Sequence, residues 1–386
     1  MNVRLVDEPA AFVTLMAEIA GAPLVAMDTE AASFHRFIDR IYLIQLSTPT
    51  TTAVVDPLGV GDLAPIGALL ADAAVEKVFH DAAYDLRLFD KEFGFHARHL
   101  FDTRIAAQLL NEPGIGLAAL LEKYFGVRPD KRFQRADWSA RPLTAPMLDY
   151  AAGDTSHLCE LRDILLNRLR EMGRLEWAME EFELLENIRW TAPQAAPETD
   201  FIEMKGARAL DRRGLALLRE LYIWREQTAH ALDRAQFRVL GNEVLLHLSQ
   251  HPVATPEELS HVRGIGRDTL ERRGDEILAA IARGLAVADE ALPRFARSPR
   301  RVPDPAYELR LGRLKLRRNA IATRLDLAPG VLCPNGTLEA IARVLPQDLA
   351  ALGAIHEVRR WQVKEFGSEL LEALHEPENA ASGETV

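Results

Sequence analysis

The chain has 386 residues, 48% hydrophobic and 27% charged, with a formal net charge of -11. That length exceeds one ordinary core and predicts two or three domains. The acidic balance excludes a protein coated in positive charge but leaves room for a local basic path that meets phosphate. No apolar stretch reaches membrane-spanning length, and the first eight residues carry acids where a signal peptide would be basic and then apolar. Two distant cysteines, Cys159 and Cys333, argue against a disulfide framework or a cysteine-based zinc site. A reducing cytoplasm is the expected setting.

In chain order, residues 3–7 alternate as a first strand and residues 8–20 have helical spacing. After Pro23 comes an apolar run, residues 24–30, that ends in Asp28-x-Glu30. It reads as a buried strand, and side chains two apart on a strand share a face. Two like charges so placed raise each other's pKa unless a hard cation neutralises them; a solvated strand end is the plain alternative. Residues 41–47 and 52–56 are two more strands rich in β-favouring residues. Asp62 is placed to cap a helix through Leu70, 77–80 is a short strand, and 82–93 is a helix. This pattern implies a mixed sheet flanked by helices.

From Asp102 onward strand signals fade. Residues 103–110, 115–125 and 145–169 read as helices, and helical spacing runs on through Trp190. The Pro-rich segment 191–197 marks a boundary and closes a first domain over 1–200. Helices are expected at 211–231, at 240–248, from Pro256, and at 268–284 after the Gly264-Ile-Gly266 turn. A second break at 293–305 precedes a similar unit over 307–375. The two units share a layout and read as a degenerate tandem repeat, small helical domains over 206–290 and 300–376. Residues 377–386 have the composition of a disordered tail.

The acids carry the chemistry. Asp85 falls in the first turns of the 82–93 helix, where it can face the same sheet edge as Asp28. Tyr150 and Asp154 stand four apart in a helix and so share a face. Four acids and a tyrosine are what a two-metal phosphodiesterase needs: carboxylates for the ions and a hydroxyl to orient the attacking water. Among the other positions, Asp102 is best placed as a helix cap, His80 and His99 have ordinary structural surroundings, and Gln45 either contacts a nucleotide or ends a strand. Phe34 can stack on a terminal base. Lys131, Arg132 and Arg135 form a basic loop between helices. In the last unit, 310–318 alternates Arg and Lys with Leu, so that Arg313 and Arg317 can meet phosphate while the other face packs.

Taken in order, these pieces resemble the ribonuclease D family, within the DEDD exonucleases of the Tyr-containing subtype. The matching residues are Asp28-Thr-Glu30, Asp85 in Tyr84-Asp-Leu-Arg-Leu-Phe89, and Tyr150-x-x-x-Asp154. Phe101-Asp-Thr-Arg-Ile-Ala-Ala107 and Asp137-Trp-Ser-x-Arg-Pro-Leu143 are similar as well. The resemblance covers nearly the whole chain, because both C-terminal units look like the helicase-and-RNase-D C-terminal (HRDC) domain. It implies an α/β, RNase H-like exonuclease domain with a mixed sheet flanked by helices, followed by two small all-α helical bundles. It implies that Asp28, Glu30 and Asp154 ligate one divalent ion and that Asp28 bridges to a second. Asp85 would hold the second ion and Tyr150 would position the water. The cofactors would be two Mg²⁺ or Mn²⁺ ions and the substrates RNA 3′ ends, tRNA precursors included, acted on by a cytoplasmic monomer. Ala31 departs from the aromatic that many relatives place there, which leaves open which ring meets the terminal base. Two rivals use the same residues: a 3′→5′ DNA exonuclease, for which no polymerase or helicase motif follows, and a nonenzymatic RNA-binding scaffold, which would have no need of all four acids.

Overall fold

The computed structural model describes residues 3–130, 132–192, 196–295 and 304–376. Its first part is built on a six-stranded mixed sheet: β1 Arg4–Val6, β2 Leu24–Ala31, β3 Ile41–Ser47, β4 Thr52–Val55, β5 Glu76–Phe79 and β6 Leu100–Asp102, in the order β1-β4-β3-β2-β5-β6. The central strand, β2, runs antiparallel to β3 and parallel to β5. β1 pairs in parallel with β4, and β6 with β5. β6 is absent from the sequence reading: all three of its residues are buried and lead directly into a helix, so no alternation marks it.

Alternation along β3 sorts its side chains between two layers. Ile44 and Leu46 join the main core, whereas Leu43 packs with Val54, Trp138, Ala151 and Ala152 in a smaller one. The single helix expected over 145–169 is therefore two, Ala145–Thr155 and Leu158–Glu171. The first lays its small residues, Ala151 and Ala152, on the Leu43 face; the second sends Leu161, Leu165 and Leu169 into the main core. One straight helix cannot serve both layers, so the chain turns between Thr155 and Leu158.

The two helical units repeat without a gap at an offset of 93 positions (212 to 305, 242 to 335, 267 to 360). Helix Arg212–Ala231 corresponds to Pro305–Arg324, Gln236–Val239 to Pro329–Leu332, and Pro256–Ser260 to Leu349–Gly353. The helix caps recur, Asp211 with Asp304 and Thr255 with Asp348. So does a buried arginine. Arg225 donates to the Leu240 carbonyl and to Asn242 Oδ1, and Arg318 repeats both bonds with Cys333 and Asn335. A buried guanidinium must find acceptors, and here it ties the first helix of each unit to the next.

The units differ in how they join the rest. The first has its own core around Leu218, Leu221, Leu245 and Ile281. The second shares one contiguous core with the sheet domain. Trp361 stacks on Trp177 at 4.6 Å, Glu180 caps the backbone N–H groups of Arg360 and Trp361, and the Arg174 guanidinium donates to the Leu325 carbonyl. No helix among the described residues is long and apolar enough to cross a membrane. Cys159 and Cys333 are buried and unpaired.

Candidate active site

Pairing across β2 and β3 sets Asp28 opposite Gln45 and Glu30 opposite Leu43, and a bulge follows directly at Glu30/Ala31. Asp28 and Glu30 thus project from one face just where the strand bends away. The helix Ala145–Thr155 crosses that face and adds Asp154. One carboxylate oxygen from each of Asp28, Glu30 and Asp154 lies within 4.8 Å of the others. Asp85, only 5% exposed, accepts a hydrogen bond from the hydroxyl of Thr29, the residue between the two strand acids. It stands beside the trio and not in it, near enough for its charge to raise the pKa of both Asp28 and Glu30.

All four acids are held above the ordinary carboxylate range, and burial is the largest cause in each. At Asp28 repulsion from Asp85, Asp154 and Glu30 adds to it, and at Glu30 repulsion from Asp154 and Asp85. Asp85 and Asp154 are both pushed up to about 7. Such a set relaxes by exchanging its protons, released to water, for a hard cation that takes oxygen ligands. The surroundings fit that group. Gln45, fully buried across from Asp28, has neither polar atom of its amide paired among the described residues. A hydrated ion would give it a partner.

Tyr150, one turn before Asp154, is half-buried with its ring stacked on Trp138 at 5.9 Å and set 6.1 Å from Phe133. Partial burial first, then the charges of Asp154, Glu30 and Asp28, hold its hydroxyl well above the usual phenol range, so it stays a neutral donor facing the carboxylates. It lines a cleft with Asp154, His80, Asp130 and Gln134.

Several supporting residues were invisible to sequence spacing. Thr29 fastens Asp85 to the strand. Trp138, 1% exposed, fixes the tyrosine ring. Asp102 caps its own helix through Arg104 and Ile105 N–H, as expected, but also accepts from Ala82 and Asp81 N–H, so it pins the start of the Asp85 helix to β6. His80 bonds to Thr103 Oγ1 at 2.9 Å, and burial pushes its pKa down to about 4. It is a neutral structural histidine that also edges the cleft.

The expected nucleic-acid contacts are scattered. Phe34 is 42% exposed, with the Arg135 guanidinium 5.0 Å over its ring and Phe237 of the first helical unit at its edge. Arg132 pairs with Asp130, and Lys131 lies outside the described residues, as does the tail 377–386. Arg317 faces Glu369 and Glu372, and Arg313 donates to the Glu376 carbonyl. The acids that meet this basic stretch come from the last helix, some fifty positions away, which local composition does not show.

The mixed sheet, its edge of converging carboxylates and the paired helical bundles define a 3′-5′ exonuclease carrying two HRDC domains. Residues 3–170 match the family model described as 3′-5′ exonuclease, and residues 214–281 and 308–374 each match that of the HRDC domain. Ribonuclease D of Gluconacetobacter diazotrophicus is 35% identical over 355 residues, 90% of this chain and 87% of its own. Among solved structures, Escherichia coli RNase D, described as an exoribonuclease involved in structured RNA processing, matches with a TM-score of 0.67 at 26% identity over 97% of this chain and 99% of that one. A protein from Bifidobacterium adolescentis matches at 0.81 and 25% identity over 96% of each chain. The chain belongs to the ribonuclease D family.

Proposed function

We propose that this chain is a metal-dependent 3′→5′ exoribonuclease that removes nucleotides one at a time from RNA 3′ ends, precursor tRNAs among them, as a cytoplasmic monomer. Its exonuclease domain spans residues 1–200 and its HRDC units 206–290 and 300–376. The observation that carries this reading is the meeting of Asp28, Glu30 and Asp154 oxygens within 4.8 Å, with Asp85 fastened alongside. Asp28, Glu30 and Asp154 would hold one Mg²⁺ or Mn²⁺ and Asp28 with Asp85 a second; bound there, the ions supply an activated water and stabilise the leaving oxygen.

The chain's own residues do the rest. The phenol of Tyr150 donates to the attacking water and aims its lone pair at the terminal phosphodiester. Trp138 keeps that ring from rotating away. Phe34, exposed on the loop beyond Glu30, offers a face to the terminal base, and Arg132 and Arg135, in the loop before Trp138, would steady the adjoining phosphates.

The test is digestion of a labelled single-stranded RNA with and without chelator. Stepwise loss of 3′ nucleotides is expected with magnesium or manganese and none with chelator. Asp28→Ala is expected to abolish cleavage while leaving RNA binding. Near-normal activity of that variant, or equal cleavage of a matched DNA strand, would overturn the assignment, since the 2′-hydroxyl separates the two substrates.

A further inference from the structure

Because the helical units repeat in one register, every side chain of the first has a counterpart in the second. They diverge on one face. In the first unit a cleft is lined by four guanidinium groups, Arg234, Arg238, Arg272 and Arg273, with Asp268 the one carboxylate lining it. The counterparts in the second unit are Leu327, Val331, Glu365 and Phe366, with Trp361 in place of Asp268. There the face is spent on docking: Trp361 stacks on Trp177, and Val331 lines the seam with the sheet domain. In the first unit the same face is open, with Arg234, Arg238 and Arg272 exposed. A docking face merely left uncovered would be apolar. This one carries arginine where the second unit has Leu327, Val331, Glu365 and Phe366, in a chain whose net charge is -11.

Its position supplies a second reason. Arg238 donates through Nε to the Phe34 carbonyl at 2.6 Å, Ala235 N–H donates to the His35 carbonyl at 3.1 Å, and Asp233 Oδ1 accepts from Ile38 N–H at 2.9 Å. One wall of the cleft is thereby bolted to the loop that leaves β2 just after Glu30. Arg135, over the Phe34 ring, brings a further cation to this loop, three positions before Trp138 in the chain. Arg234 has no carboxylate partner among the described residues. Arg272 pairs only with Asp268, and both of those side chains are more than 70% exposed, so a phosphate displaces that partner readily.

We propose that the cleft between Arg234, Arg238, Arg272 and Arg273 binds the sugar–phosphate backbone of single-stranded RNA upstream of the 3′ end. The duplicated units have divided their labour: the first guides RNA into the site, and the second is a structural part of the nuclease. The substrate class rests on the exoribonuclease reading; the existence of the cleft does not. Arg313 and Arg317, already engaged within the second unit, stand outside this path.

The test measures binding of the full chain to a 3′-labelled single-stranded RNA of a dozen nucleotides by fluorescence anisotropy, in chelator so that nothing is cut, across about 50 to 200 mM salt. The Arg234→Ala, Arg272→Ala double variant removes two exposed side chains. It is expected to reduce the slope of log affinity against log salt by about 1.4 and to weaken binding at 0.1 M salt by about 10- to 30-fold. Arg272→Glu, which installs the residue type of the second unit, is expected to weaken binding at least as much as removing that arginine alone. An unchanged affinity and slope in the double variant overturns the proposal, as does an equal loss from Arg313→Ala with Arg317→Ala. Hydrolysis of a dinucleotide by the unaltered protein with magnesium reads the carboxylate site alone, so failure of the exonuclease reading is seen separately from failure of the cleft.

Discussion

Removing one acid from the cluster should make the metal-free protein more stable. Asp154 sits at about 7 against an ordinary 3.8. A group whose pKa is raised on folding gives its full stabilisation below the unfolded value and loses it as pH climbs through the folded one. The metal-free protein therefore becomes less stable between about pH 4 and pH 7, and at pH 8 it holds Asp154 charged against its will. At 1.36 kcal/mol per pH unit the ceiling for this one group is about 4 kcal/mol. Because four acids share the site, its neighbours take up protons in its place, and relief on deleting one charge is nearer 2 kcal/mol. Asp154→Asn should thus raise the melting temperature in chelator at pH 8 by about 3–4 °C, do little at pH 4, and abolish both cleavage and the stabilisation that magnesium gives the parent. Thermal unfolding of both proteins at the two pH values, with chelator and with magnesium, checks all of this. Equal or lower stability of Asp154→Asn at pH 8 in chelator would refute the reasoning, since holding that charge buried would then cost nothing.

The same titration predicts that apparent metal affinity, read by calorimetry, rises with pH through about 7, where Asp85 and Asp154 release their protons; a flat profile between pH 6 and 8 would place the ion elsewhere. Tyr150→Phe keeps the ring stacked on Trp138 and removes only the hydroxyl, so turnover should fall about 10²- to 10³-fold with an unchanged melting temperature. A normal rate would make that tyrosine a packing residue. Trp361→Ala removes the ring that joins the second helical unit to Trp177 and should cost about 3–5 kcal/mol in a single cooperative transition; a separate early transition in calorimetry would mean the unit folds by itself.

The sequence was most legible where one strand or one helix carries two functional groups. Asp28-x-Glu30 and Tyr150-x-x-x-Asp154 each encode a shared face by spacing alone, and the sheet delivers them to one place. The tandem helical layout was equally readable, since a long Arg-rich helix, a short helix, a Leu/Pro turn and a closing amphipathic helix occur twice. What stayed hidden depends on contacts between distant segments. Nothing local marks Thr29 as the anchor of Asp85, or Asp102 as a clamp on the next helix as well as a cap. The break between Thr155 and Leu158 follows from two cores on opposite faces of the sheet, and continuous helical spacing conceals it. The Arg310–Arg318 stretch looked free because its acids lie on another helix, whereas the cations of the first unit, spread from Arg234 to Arg273, form no run at all and gather only on folding.

The shared core also bears on how the protein is made. Ribosomes deliver the sheet and its acids first, at about 5–20 residues per second, but the surface around Trp177 and Glu180 stays bare until Trp361 has emerged, well after the first bundle. A message cut short between the first bundle and Trp361 would yield a chain bearing all four clustered acids on an unfinished body. Burial of that surface is thereby coupled to synthesis of the second bundle.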